Sequence, residues 1–303
     1  MGDARQHTEG NGDRPHGAAD DATPAAAGAT GTGRRRAPWP LAVVAVLFVV
    51  VPFLTWYWTW FGRSLSDEEI GRYLGEGKPR HAQHALSQVV GRIEAGDANA
   101  GRWNAQVAAL AASPSPDVRM TVAWVMGREH KSEEFRAALA RLVEDPEPIV
   151  RRNAALALVS FGDPRCRPEL LAMLRPVTIN ARTEGTAQTA LTAGTPVKRE
   201  SLLVRYDVRP NLVEEVRSPV PGRVEKAFVK EGDSWHAGAE LFVIAPDREQ
   251  VEDALLGLAH LGEAEDLPEV ERYARGVEGA PDELKAKAAR TAEAIRRRAG
   301  RNP

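Results

Sequence analysis

The chain has 303 residues, and its 40 Lys and Arg against 42 Asp and Glu leave a formal charge of −2. That balance gives no reason to expect nucleic acid as a partner, and the length gives room for two domains with tails. One cysteine, Cys166, excludes an internal disulfide framework; in Pro-Arg-Cys-Arg-Pro at a predicted helix start, with no nearby Cys or His partner, it reads as a buried or idle thiol rather than a nucleophile.

Residues 1–36 are Gly, Ala, Asp, Thr and His with almost no large apolar side chains, too little to offset the entropy of ordering. We expect a disordered cytoplasmic tail there. Leu41 to Phe61 carries no charge over 21 residues, and a helix of that length runs ~31 Å, the hydrocarbon thickness of a bilayer. We therefore expect a single transmembrane helix within 37–62. Trp39 marks one end, and Trp56, Tyr57, Trp58, Trp60 and Phe61 crowd the other, as aromatic rings do at a headgroup boundary. The exit is bulky and lacks an Ala-x-Ala site, which argues against a cleaved signal peptide. Arg34, Arg35 and Arg36 precede the run while Asp67, Glu68 and Glu69 follow it, so the positive-inside bias keeps the N-terminus cytoplasmic and sends the rest to the periplasmic side of a bacterial inner membrane.

From residue 63 to 174 the period is helical. His81 to Ile93 places Ala82, Ala85, Leu86, Val89, Val90 and Ile93 on one side. His81 and His84 share that stretch without an acidic or Cys partner at metal-ligand spacing, so they read as surface histidines. An internal repeat begins at Ser113: Pro116-Asp117-Val118-Arg119 returns as Pro148-Ile149-Val150-Arg151, a step of 32. Each unit reads as Pro at a helix start, an Ala-rich amphipathic helix, a Gly stop and a second helix ending in Leu. This resembles HEAT repeats, an α-solenoid of stacked helix pairs. A third unit follows later, because the stretch from Ala155 aligns without gaps on that from Leu255, pairing Gly162 with Gly262 and Pro168 with Pro268 at a step of 100. We place resumed HEAT-like repeat and a terminal helix at 248–300. In that last helix Leu284, Ala288, Thr291, Ala292 and Ile295 face one way, and Arg296, Arg297 and Arg298 suit the negative end of a helix dipole or form an anion patch.

Between these helical stretches, 175–247 is rich in Val, Thr, Leu and Gly and punctuated by Pro and Gly, which is strand chemistry. It repeats itself: Val197 and Leu203 follow Gly194 at the places where Trp235 and Leu241 follow Gly232, the mark of a small pseudo-symmetric barrel. The run Glu215-Val216-Arg217-Ser218-Pro219, then Gly222-Arg223-Val224, Glu231-Gly232-Asp233, Gly238 and Leu241 resembles the biotinyl/lipoyl family of barrel-sandwich hybrid domains. In that family's carriers a Lys at a hairpin tip holds the cofactor. Here the corresponding tip is Arg209-Pro210-Asn211-Leu212 and Asn211 stands at the Lys position, while Lys198 and Lys226 lie in the flanking halves. The fold without its Lys is similar to the barrel of periplasmic adaptor proteins, where it supplies contact surface; no long coiled-coil hairpin interrupts Tyr206 to Glu214 here.

No Gly-rich phosphate loop after a strand, HExxH, paired CxxC or nucleophile-elbow motif occurs in the sequence. The expected architecture is thus multidomain α + β: one transmembrane helix, a HEAT-like solenoid and an inserted all-β barrel-sandwich hybrid. The expected role is a non-enzymatic scaffold or adaptor of the cell envelope, with the bilayer and inner-membrane or periplasmic proteins as partners, no nucleic acid, and no catalytic, cofactor or metal residues. The alternatives are a cofactor carrier modified elsewhere and a HEAT-type lyase.

Overall fold

A computed structural model describes residues 43, 44, 46–54, 64–277 and 279–300. It divides into two units, one ending at Arg63 and the other beginning at Ser64. In the first, residues 43, 44 and 46–54 are helical and apolar, with Phe48 80% and Val49 70% exposed. The expected tail and the rest of the expected span, including Arg34 to Arg36, Trp39 and the aromatic cluster from Trp56 to Phe61, lie outside the described residues. Among the described residues no helix is long and apolar enough to cross a membrane.

The second unit is mixed α and β. Its helices before the strands are α1 (Asp67–Gly75), α2 (Pro79–Glu94), α3 (Asn104–Ala109), α4 (Pro116–Met126), α5 (Glu133–Leu142), α6 (Pro148–Ser160) and α7 (Arg167–Met173). After the strands come α8 (Arg248–Leu261), α9 (Leu267–Arg275) and α10 (Asp282–Ala299). The starts are written in the sequence. Pro opens α2, α4 and α6, where its missing N–H costs nothing. Ser66 and Glu69 form a capping box on α1, Ser132 accepts from the Phe135 N–H, and Asp247 accepts from the Gln250 N–H. The buried faces follow the expected period: Ala82, Ala85, Leu86, Val89 and Val90 in α2, and Leu284, Ala288, Thr291, Ala292 and Ile295 in α10.

One apolar cluster runs from Leu65 through Leu174 and resumes at Val251 to end at Ile295. The helices on either side of the strands therefore share a core. Their seam is polar as well as apolar. Arg152, 5% exposed on α6, donates through Nη1 to Gln250 Oε1 on α8. Gln250 Nε2 donates to the Met173 carbonyl (2.6 Å), and Arg272 Nη2 and Tyr273 Oη both donate to the Leu174 carbonyl (2.6 and 2.9 Å). Arg167 forks onto Asp266 (2.9 and 3.1 Å). The last carbonyls of α7, orphaned by the helix end, thus find donors on α8 and α9.

The strands are β1 (Val177–Asn180), β2 (Gly185–Ala190), β3 (Pro196–Val197), β4 (Leu202–Arg209), β5 (Leu212–Arg217), β6 (Gly222–Ala227), β7 (Ser234–Trp235) and β8 (Glu240–Ala245). They form two antiparallel sheets, ordered β1-β8-β6-β3 and β5-β4-β2-β7. The expected barrel is therefore corrected to two open four-stranded sheets; neither closes on itself, and short edge strands end both. The halves exchange parts. β3, from the half that supplies β2 and β4, pairs with β6, and β7, from the half that supplies β6 and β8, pairs with β2. The backbone bonds repeat in kind: Gly194 N–H to Val224 O and Val224 N–H to Thr195 O in one half answer Gly232 N–H to Ala187 O and Ala187 N–H to Asp233 O in the other. Both sheets enclose a second core, including Val204, Tyr206, Val224, Trp235, Leu241, Phe242 and Ile244, each contributing roughly 1.5–3 kcal/mol by burial. Gly185 and Gly222 open the equivalent strands β2 and β6 because a Cβ would stand 2.3 Å from the Tyr206 ring and 2.2 Å from the Ala245 carbonyl oxygen.

The symmetry exposes one strained residue. In the turn before β8, Gly238 holds φ +85°; at the equivalent place before β4 stands Glu200, with φ 65°. A left-handed conformation costs a residue with a Cβ roughly 1–2 kcal/mol. Glu200→Gly is expected to raise stability by about 0.5–1 kcal/mol and Gly238→Ala to lower it by about 1–2 kcal/mol in urea unfolding; a neutral Gly238→Ala would show that the turn is not held. At the seam, Gln250→Leu strands the buried Arg152 charge and is expected to cost about 2–4 kcal/mol, whereas Arg152→Leu with Gln250→Leu recovers most of it. A double variant as damaged as the sum of the single ones would contradict this account.

Candidate interaction surfaces

The repeated Pro-x-Val-Arg segments place one arginine per unit at the turn between helix pairs. Arg119, on α4, grips Asp145 with two bonds (Nε to Oδ2 2.6 Å, Nη2 to Oδ1 2.9 Å) and donates through Nη1 to the Ser113 carbonyl (2.9 Å). Arg151, on α6, stands in the same relation to its own turn: Nη1 donates to the Asp145 and Pro146 carbonyls (2.8 and 3.0 Å), and Nε donates to Glu169 on α7 (3.0 Å). The result is a ladder, Arg119–Asp145–Arg151–Glu169, that joins one helix pair to the next. Burial alone would raise the Asp145 carboxyl, but bonds from Arg119 and the Glu147 N–H, with the charges of Arg119 and Arg151, hold it below its ordinary value. The same bond to Asp145 raises Arg119 against the opposing effect of burial.

Asn211 lies at the exposed tip of the β4–β5 hairpin, in a two-residue turn between paired Arg209 and Leu212. Its φ of 67°, after a Pro that presets the first corner, fits a type II turn, where Asn is tolerated. An amide has no amine to acylate. Lys198, in the turn after β3, and Lys226, on β6, are exposed and belong to other parts of the block. Behind the tip, Tyr206 Oη donates to Glu214 Oε2 (2.7 Å) and lies 3.0 Å from Thr183 Oγ1, and Trp235 Nε1 donates to the Thr183 carbonyl (3.1 Å). These bonds brace the hairpin on its sheet. From the turn after β3, Arg199 reaches back 2.9 Å to Asp117 at the start of α4; a pair this exposed contributes ~0–1 kcal/mol.

The remaining candidates find structural duties. Cys166 is fully buried, and that burial pushes its thiol up to about 12, so little thiolate forms at neutral pH. His81 stacks on Tyr73 (centroids 4.3 Å apart) and places Nδ1 2.6 Å from Glu76 Oε2, a bond that lowers the Glu76 carboxyl; His84 is tilted 6.4 Å from the same ring. Among the described residues no group of three or more His, Cys, Asp and Glu is placed to hold a metal ion. Arg296 pairs with Glu271 (2.5 Å) and Arg297 with Glu293 (2.6 Å), while Arg298 donates to the Ala259 and Gly262 carbonyls at the end of α8. The three arginines are thus engaged rather than gathered into an anion patch, and the dipole that Arg298 meets is that of α8. A cleft of about 140 Å³ lies between the start of α2 and the turn at 110–114, with Lys78, Pro79, Leu110 and Val118 on its walls, smaller than the ~300–1,000 Å³ of ligand pockets. Arg152, Gln250 and Asp145 were not singled out by sequence reasoning; the Arg of each repeat was the available signal for the last.

A family model described as HEAT repeats matches residues 104–185, the stretch that contains the ladder. Over that stretch the HEAT expectation holds, and HEAT repeats are consistent with protein partners. No curated protein matches. Among solved structures, a chain described under "Structure and function of a single-chain, multi-domain long-chain acyl-coa carboxylase" is similar over 33% of this chain and 10% of that one, at 16% identity and a TM-score of 0.23.

The ladder makes a pH prediction with a definite sign. A carboxyl whose folded value lies below its ordinary 3.8 contributes stability that is present above that value and lost as the pH falls through the lowered one. Asp145→Asn is expected to cost about 2–3 kcal/mol at pH 7, and the gap from the native chain should close as both are unfolded at progressively lower pH below about 4. A gap independent of pH would remove the carboxylate charge from the explanation.

Proposed function

We propose that the protein is a non-enzymatic, membrane-anchored scaffold of the bacterial cell envelope. It holds protein partners on its helical array and on the β block. The observation that carries this reading is the HEAT match over 104–185 together with the ladder that ties successive helix pairs into one extended surface. The block is read as a biotinyl/lipoyl-like barrel-sandwich hybrid inserted between the second and third units and resembling that of periplasmic adaptors. That finer reading rests on the motif residues from Glu215 to Leu241, and the exchange of β3 and β7 between the halves supports it. With Asn211 at the tip, the block serves as contact surface rather than as a cofactor arm. The anchor and its orientation, N-terminus cytoplasmic and the remainder periplasmic, rest on the uncharged run Leu41–Phe61 behind Arg34, Arg35 and Arg36.

The test is crosslinking in intact cells through the β block, followed by recovery from carbonate-washed membranes. The chain is expected in the membrane pellet with specific protein adducts. A chain found only in the wash would sink the anchor, and a pellet without adducts, under conditions that capture a known envelope complex, would sink the scaffold.

A further inference from the structure

The β block and the helices pack separately. The core of the block lies between Ile179 and Ile244, that of the helices between Leu65 and Leu174 and again between Val251 and Ile295, and no residue belongs to both. The half-buried apolar side chains divide in the same way: Val177, Leu191 and Val208 lean on the block's core, Phe161, Leu171 and Leu261 on that of the helices. Apolar burial, the largest attraction inside either part, therefore does not fix one part on the other.

The chain joins them at two neighbouring points. Arg175 and Pro176 separate Val177 from Leu174, whose carbonyl is held by Arg272 and Tyr273, and Pro246 and Asp247 separate Ala245 from α8. Val177 pairs with Ile244, so the two connections run side by side. Two short parallel connections resist twisting and leave one soft motion, rocking about the line that joins them, with the φ/ψ change absorbed by those few residues.

Among the described residues, one side-chain bond or ion pair crosses from the block to the helices: Arg199 Nη1 stands 2.9 Å from Asp117 Oδ1 at the start of α4. Helices α4, α6 and α8 pack in succession, so the pair sits roughly 16–20 Å from α8, where the stem ends. Arg199 projects from a braced turn, in which the Glu200 N–H donates to the Ser218 carbonyl and Arg217 Nη1 to the Glu200 carbonyl (both 2.8 Å). Each member of the pair has a second home. Glu200 Oε1 lies 3.9 Å from Arg199 Nε, and Asp117 occupies the first turn of α4, where the helix dipole favours a carboxylate. The Asp117 side chain is 53% exposed, so dissolved salt reaches the pair and screens it.

We propose that the block rocks on its stem and that Arg199–Asp117 is a salt-sensitive catch that docks it against α4. A pair this exposed favours the docked arrangement by no more than about fivefold, which leaves an undocked minority of at least roughly 15%. The catch stands on the separate packing of the two parts and holds whatever the array binds; it gives the surface around the hairpin tip two orientations.

The test places spin labels on the full chain at Ala193→Cys in the block and Ala137→Cys on α5, both exposed positions, with Cys166 buried, and reads the distance between them by double electron–electron resonance. A dominant distance with a minor second population is expected at low salt. Raising the salt to about 1 M, or Arg199→Ala, should shift the ratio toward the second population by up to about fivefold, and the charge exchange Arg199→Asp/Asp117→Arg should bring it back. A single narrow distribution, the same in every chain and at both salts, overturns the rocking. A second population that responds neither to salt nor to the charge exchange overturns the catch, and the salt comparison needs no substitution in the pair itself.

Discussion

The structure depends on how the helical stack closes behind the strands. The chain leaves the stack at Leu174 and re-enters it at Asp247, and the two lips are held by donors crossing from α6, α8 and α9 onto side chains and carbonyls of the facing elements. Arg152 is the centre of this seam. Burial lowers its guanidinium to about 10, yet it remains charged at neutral pH, with Nε free of hydrogen bonds and 3.9 Å from Glu169 Oε1. A buried charge with few partners is costly unless every neighbour is in place. The register of α8 against α6 is therefore specified by a polar group, while the apolar cluster on either side supplies most of the attraction.

The ladder and the seam divide the work along the array. Arg119 and Arg151 are partly exposed and bind the turns of successive units, so each ties a helix pair to its neighbour through its own loop. Arg152, one residue beyond Arg151, points inward and binds across the interruption. Two adjacent arginines thus serve local stacking and long-range closure, because successive positions on a helix point about 100° apart. The exchange of β3 and β7 does for the sheets what the seam does for the helices: neither half of the block completes its sheet without a strand from the other.

Much of this was legible in the sequence where it depends on period and punctuation. The step of 100 that pairs Pro168 with Pro268 returns in the structure as two matched runs, α6, a single turn at Pro164–Cys166 and α7 against α8, a single turn at Ala264–Asp266 and α9. The correspondence of Gly194 with Gly232 returns as repeated backbone bonds. What was not legible depends on partners far away in the chain. Nothing near Arg298 announces that it will close the end of α8, and Arg152 has the spelling of a solvated helix face. The tip at Asn211 was legible in position through the resemblance to the biotinyl/lipoyl motif, which the turn between Arg209 and Leu212 matches; the two open sheets were not, since strand patterns do not say whether edges meet.

The first strand of the β block, at Val177, lies directly beside its last, at Ile244, as antiparallel neighbours. Entry and exit therefore form a single stem, and the residues that knit the stack, Met173, Leu174, Gln250 and Tyr273, all stand outside it. The block is a plug on a socket: it hangs from that stem, with the exposed Arg199–Asp117 pair as a further touch on α4, so its weight falls on residues other than those that close the helices beneath.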